Sequence, residues 1–375
     1  MTIGKLMKLA AKGAKNGAVY RAKKLLGKHQ YPTFAVFQLT YRCNSRCAMC
    51  SIWKKPRAEE MSADQIAEMF RDRLFARLRW INLTGGEPFL RSDFLDVMRA
   101  LSHIPTLEGI AIPTNGFMTE RIVGCAEQAL DILGENRFLS ITVSIDGIGE
   151  THERIRGVKC FDAAMKTLES LIRLKGRYPN FNVGVQPTIS KANIGEIDEL
   201  YDFLKSKTQS VGFAVMMQSK GYYDNVDSGI APGEDDKRKV SEFLRRIAKH
   251  DPQYSFYYNS LANLLKTGKR GFGCLGGHLT VFINPQGEMF PCPALSFNKA
   301  FSFGKASHEN FFSSKAADIK KRLKVCGMCR SCSMMCDFIN VAKVEFFEHA
   351  GYMLRHPGDA IRLVRKIRNE ENPYL

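Results

Sequence analysis

The chain has 375 residues, of which 45% are hydrophobic and 25% charged, and it carries a formal net charge of +17. That balance excludes a disordered or fibrous chain. No apolar run approaches the ~18–20 residues of a membrane-spanning helix, and the length admits a catalytic domain with a smaller companion.

Residues 1–32 read as a basic amphipathic helix. Lys5, Lys8, Lys12 and Lys15 share one face, and Ile3, Met7, Ala10 and Ala14 another. The segment lacks the apolar core of a signal peptide. Together with the basic tail at 346–375 (Arg355, Arg362, Arg365, Lys366, Arg368) it predicts peripheral contact with an anionic membrane surface from the cytoplasm. Nucleic acid is the weaker partner class, because no basic patch is interleaved with aromatics in a recognisable module.

From residue 33 to 220 the pattern alternates. β-rich runs at Phe34–Thr40, Arg79–Thr84, Gly109–Thr114, Leu139–Ile145, Asn182–Thr188 and Val211–Met217 are separated by helix-like segments near 62–75, 92–103, 119–133, 161–175 and 194–207. Ser62 with Gln65, and Asn193 with Glu196, read as capping boxes. Strands alternating with helices predict an α/β fold built on a parallel sheet, as six units of an incomplete (β/α)6 TIM-type barrel. Residues 221–265 read as a helical bridge. Residues 266–345 read as a small cysteine-rich domain, with a hairpin over Val281–Phe290.

The eleven cysteines are unevenly placed, and an odd total without a secretory signal points to metal binding in a reducing compartment. Cys43, Cys47 and Cys50 form C-x3-C-x2-C directly after the first strand. Three thiolates on one loop suit a cubic 4Fe–4S cluster with one iron left open, whereas structural zinc wants a fourth ligand. Three further motifs fall at the carboxyl ends of predicted strands: Thr84-Gly85-Gly86-Glu87-Pro88, Pro113-Thr114-Asn115-Gly116 and Ser144-Ile145-Asp146-Gly147. In a (β/α) barrel that edge is where ligand-binding loops converge. Arg154 and Arg156, just beyond the last motif, are candidates to grip a carboxylate.

Taken in order, these motifs resemble the radical S-adenosylmethionine (SAM) superfamily. The resemblance implies that Cys43, Cys47 and Cys50 hold a 4Fe–4S cluster. It implies that Gly85, Gly86 and Glu87 bind the methionine amine of SAM, and that Thr114, Asn115, Ser144, Asp146 and Arg156 approach the rest of SAM and the substrate. Met49 stands where the family most often has an aromatic residue. Cys274, Cys292, Cys326, Cys329, Cys332 and Cys336 resemble the ligands of a SPASM or twitch extension, which holds one or two auxiliary 4Fe–4S clusters. No cysteine follows Cys336, so six thiolates fall short of the eight that two complete cubic clusters would need.

The expected activity is reductive cleavage of SAM to a 5′-deoxyadenosyl radical that abstracts hydrogen from substrate, with a flavodoxin- or ferredoxin-type electron donor. The short stretch before the first strand leaves no room for a peptide-recognition domain. The basic ends therefore direct the expectation to a small, anionic, lipid-linked or nucleotide-linked substrate. A peptide-modifying SPASM maturase is the alternative. A non-catalytic iron–sulfur carrier and a zinc-stabilised nucleic-acid-binding protein are the rival classes, and both leave the Gly85–Glu87 groove without a purpose.

Overall fold

The computed structural model describes residues 11, 13–20, 22–23, 30–56, 59–251, 254–270, 273–323, 332–333 and 346–362. They divide into two compact units. One comprises 31–232 with 276–324, and the other comprises 1–30, 233–275 and 325–375.

The first unit is an α/β structure. It runs β1 (Phe34–Thr40), α1 (Ala63–Arg71), β2 (Trp80–Gly85), α2 (Phe94–Ser102), β3 (Gly109–Thr114), α3 (Thr119–Leu133), β4 (Phe138–Val143), α4 (Glu150–Arg156), α5 (Phe161–Lys175) and β5 (Phe181–Val185). β1 to β5 are parallel neighbours in chain order. The predicted capping box forms at α1, where Ser62 and Gln65 exchange backbone-to-side-chain bonds.

The predicted sixth strand is short. After β6 (Thr188–Ile189) and α6 (Ile197–Lys207), only β7 (Ala214–Val215) is extended, and it pairs with β6 in a separate two-stranded sheet. A single bridge, Val185 to Val211, links this stretch to β5. The second expected capping box does not form. Asn193 accepts from Ser190 N and donates to Asp146 O and Thr188 O, so its side chain is occupied at the strand ends.

The hairpin falls where its sequence places it, as β8 (Thr280–Ile283) and β9 (Glu288–Phe290). β8 extends the large sheet by pairing parallel to β1, and β10 (Gly304–Lys305) adds the far edge against β9. Helices α3 and α5 pack onto β4 and β5. The strand residues on their side, among them Phe37, Leu83, Ile110, Ile141 and Val183, are almost completely buried.

In the second unit α7 (Glu234–His250) packs against α8 (Ser255–Thr267), and Ser241 Oγ donates to Ala262 O at 3.1 Å. The hydroxyl of Tyr352 joins Asn259 and Asp359. Residues 13–20 are helical, with Tyr20 buried, and Phe346–Arg355 is a helix in the tail, while Lys5, Lys8, Lys12, Arg365, Lys366 and Arg368 lie outside the described residues. Among the described residues no helix is long and apolar enough to cross a membrane.

Candidate active site

The three clustered cysteines sit on the loop after β1, and the ends of β2 and β3 together with α4 grip that loop. Gly86 N donates to Thr40 O and Glu87 N to Arg42 O, each at 2.8 Å. A Cβ at Gly86 would stand 2.0 Å from Arg42 O, so only glycine lets the two backbones meet. From the next strand end, Asn115 Nδ2 donates to Asn44 Oδ1 at 2.6 Å. From α4, Arg156 O accepts from Arg46 N (2.9 Å) and Ser45 Oγ (3.1 Å), while Ile155 O accepts from Ala48 N. α4 ends at Gly157 in the left-handed region (φ 69°), where a Cβ would approach Arg46 O to 2.6 Å.

Two buried carboxylates organise these supports. Glu87 is 1% exposed, and its Oε1 accepts from Thr114 Oγ1 at 2.9 Å while Oε2 accepts from Asn115 N at 2.8 Å. Burial pushes its carboxyl up to about 7 in spite of those bonds. Asp146, fully buried, accepts from Thr188 N at 2.7 Å and pairs with Arg156 at 2.6 Å. The Arg156 guanidinium also donates to Ser144 O at 2.9 Å and to Cys47 Sγ at 3.6 Å. His152 accepts the Asp146 N–H through Nδ1, and burial together with the nearby Arg156 pushes its pKa down to about 3, so the ring is neutral.

The thiols share this environment. Ser45 N donates to Cys43 Sγ at 3.4 Å, and Ser45 Oγ lies 2.9 Å from Cys47 Sγ. Met49 packs with Ile155 and Met216 against Cys47 and Cys50, which gives the loop an apolar floor. Burial pushes the Cys43 thiol up to about 11 and the Cys50 thiol up to about 12. Among the described residues no three His, Cys, Asp or Glu side chains are drawn into a closed metal-ligand set. Soft donors that burial keeps protonated suit a cationic iron–sulfur group, whose binding displaces the protons and draws the sulfurs together. The donor set therefore fits such a cluster.

The sites foreseen from sequence thus separate into two groups. Cys43, Cys47, Cys50, Gly86, Glu87, Thr114, Asn115, Ser144, Asp146 and Arg156 form one connected network, and Gly85 (φ 121°) lies against Thr40. Of the second cysteine group, Cys274 is exposed and Cys292 and Cys332 are partly buried, while Cys326, Cys329 and Cys336 lie outside the described residues. Sequence reasoning missed Ser45, His152 and Asn193. A serine between two ligand cysteines, and an asparagine just past a strand end, were the available signals.

The profile of the Radical SAM superfamily matches residues 37–204, just under half of the chain. Proteins of this family bind a 4Fe–4S cluster and SAM. The mycofactocin maturase MftC of Mycolicibacterium smegmatis is 25% identical over 271 residues, covering 70% of this chain and 64% of the relative. This chain therefore matches less than two thirds of that protein's length. The GTP 3′,8-cyclase of Synechocystis is 30% identical over 185 residues, 48% of this chain and 53% of the cyclase. Native anSMEcpe with bound AdoMet and Cp18Cys peptide shares the fold with a TM-score of 0.56 at 17% identity, covering 88% of this chain and 99% of that one.

Proposed function

We propose that this chain is a radical SAM enzyme of the SPASM or twitch type that modifies a peptide. The observation that carries the reading is the grip on the cysteine loop by the Gly86–Glu87 turn, Asn115 and the end of α4, which joins the three motif-bearing strand ends into one site. Cys43, Cys47 and Cys50 would hold the cluster. Gly85, Gly86, Glu87, Thr114, Asn115, Ser144, Asp146 and Arg156 would line the SAM side. When bound, the cluster supplies one electron to SAM and gives the site hydrogen-abstracting radical chemistry.

The chain's own groups prepare that chemistry. Arg156, fixed by Asp146 and Ser144 O, presents an N–H to Cys47 Sγ, which stabilises a thiolate there. Met49, Ile155 and Met216 cover one side of Cys47 and Cys50 with apolar surface. Glu87 locks the Thr114–Asn115 turn from within. The parallel sheet is read as a partial barrel. Cys274, Cys292, Cys326, Cys329, Cys332 and Cys336 are read as holding one auxiliary cluster or two incompletely ligated ones. A maturase among the relatives supports the peptide reading over the small anionic substrate expected from the basic ends.

Anaerobic reconstitution followed by dithionite and SAM tests the reading. The expected products are methionine and 5′-deoxyadenosine. Joint replacement of Cys43, Cys47 and Cys50 by alanine should remove about four irons per chain and all cleavage. Clusters that never cleave SAM would make the protein an electron carrier, and zinc in their place would make it a zinc protein.

A further inference from the structure

Charge is divided unevenly between the two units. The second unit, residues 1–30, 233–275 and 325–375, carries 24 Lys and Arg against 11 Asp and Glu, a net +13 of the chain's +17. The first unit, about twice as long, holds the remaining +4. Lys and Arg are almost never buried unpaired, so an excess of this size marks a surface.

Acids in the second unit are gathered where a helix needs them. Glu234, Asp235 and Asp236 fill the first turn of α7, at the positive end of its dipole, and two of them pair with Lys237 and Arg238. From Lys239 to Lys269 the exposed charges are Lys239, Arg245, Lys249, Lys266 and Lys269 against Glu242 alone.

The same unit leaves large apolar side chains in water. Among the described residues five large hydrophobic side chains are exposed, and three of them are here: Val19 (45%), Leu354 (82%) and Ile361 (54%). Val19 stands one helical turn from exposed Lys15, and Leu354 and Ile361 directly precede exposed Arg355 and Arg362.

Packing on α8 holds the last two outward. Tyr352 is buried with its ring 5.4 Å from that of Phe256, and its hydroxyl accepts from Asn259 Nδ2 at 2.8 Å and donates to the buried Asp359 at 2.9 Å. His356 stacks on the same ring. One tyrosine thus fixes both the helix Phe346–Arg355 and the helical residues 357–362. Leu354 follows Tyr352 by two positions, and Ile361 follows Asp359 by two. Two positions are more than half a helical turn, so seating the anchors inward turns Leu354 and Ile361 away from α8.

A single exposed leucine needs no explanation. Here, though, exposed aliphatic side chains coincide with three quarters of the net charge. Cations draw a protein to an anionic bilayer, and aliphatic side chains then enter its apolar layer. A nucleic acid would take the charge but offers aliphatic side chains no apolar layer, and its bases stack on aromatic rings instead.

We propose that the second unit docks on an anionic lipid surface. Leu354 and Ile361 enter the acyl layer, Arg355 meets lipid phosphates, and the excess charge of α7 and α8 supplies the longer-range attraction. Docking of this kind is independent of SAM chemistry.

Flotation of full-length, cluster-reconstituted protein with unilamellar vesicles is the test. Phosphatidylcholine vesicles containing roughly one-third phosphatidylglycerol should carry the protein, and phosphatidylcholine alone should bind at least about tenfold less. Raising NaCl to about 0.5 M should weaken the anionic binding. Leu354→Ser combined with Ile361→Ser should weaken it about tenfold, and Arg355→Glu at least about fivefold. These side chains are exposed, so urea midpoints should stay at the wild-type value. Equal binding to neutral and anionic vesicles, or binding indifferent to both variants, would overturn the proposal. So would the absence of vesicle binding, and retention of a single-stranded RNA in that case would assign the charge to nucleic acid.

Discussion

Arg156 and Asp146 form a buried ion pair at 2.6 Å, and the same guanidinium reaches Cys47 Sγ, so one side chain couples the end of β4 to the cysteine loop. Breaking a buried pair from one side is worse than removing its charge from both. Arg156→Ala should therefore cost about 3–5 kcal/mol, because Asp146 stays buried without its cation. Asp146→Asn retains an acceptor for Thr188 N and should cost less. Urea midpoints of the cluster-free protein check the order. The double variant should lose little more than Arg156→Ala alone, and single losses that add in full would show that the pair does not act as a unit.

The grip on the loop can be tested at a single atom. Gly86→Ala places a methyl 2.0 Å from Arg42 O, an overlap that backbone movement alone can relieve. Gly124, within α3, has nothing within 4 Å of its Cβ position, and alanine there should stabilise by about 0.5–1 kcal/mol through helix propensity. The expected result is opposite signs, with Gly86→Ala destabilising by about 1–3 kcal/mol and also lowering iron uptake. Normal iron content in Gly86→Ala would mean that the cysteine loop does not depend on that close approach.

Glu87 should act through the turn it holds. In Glu87→Gln one oxygen becomes an NH2 group. If that group faces Asn115 N, two donors meet; if it faces Thr114, the hydroxyl must turn. Either outcome costs about 1–3 kcal/mol and loosens the Asn115–Asn44 bond across to the cysteine loop. Weakened SAM binding with little loss of bound iron is the expected pattern by equilibrium dialysis and iron assay. Wild-type SAM affinity would place Glu87 outside the site's support.

Much of this site was legible because its motifs are short-range. C-x3-C-x2-C, the Gly85–Glu87 turn and the Asn115 turn each fit within a few residues, and β1 and β3 have the bounds their sequences predict. The joins between motifs were not legible. Cys47 and Arg156 are brought together by α4 folding back, and β8 reaches β1 from far along the chain. Asn193 has a local pattern that reads equally well as a helix cap, and its contacts with Asp146 O and Thr188 O decide the matter.

Lys320 gives a prediction away from the cysteines. Its ammonium is buried 3.6 Å from the centre of the Phe311 ring and donates to Phe311 O at 2.8 Å, and desolvation pushes its pKa down to about 8. The folded state therefore holds this proton less tightly than the unfolded chain, whose lysine titrates near 10.5. The cost of burying the charge is fully present below pH 8 and is relieved as pH rises toward 10.5. Lys320→Met removes the titration but also leaves the Phe311 carbonyl without its donor, so absolute stabilities at pH 7 do not isolate the effect. The difference between wild type and variant does, because both share every other titrating group. From pH 8 to 10.5 the wild type should gain on the order of 2–3 kcal/mol relative to Lys320→Met, read from paired urea midpoints. Parallel curves across that window would show that the lysine keeps an ordinary affinity for its proton, through ring contact or water reaching it.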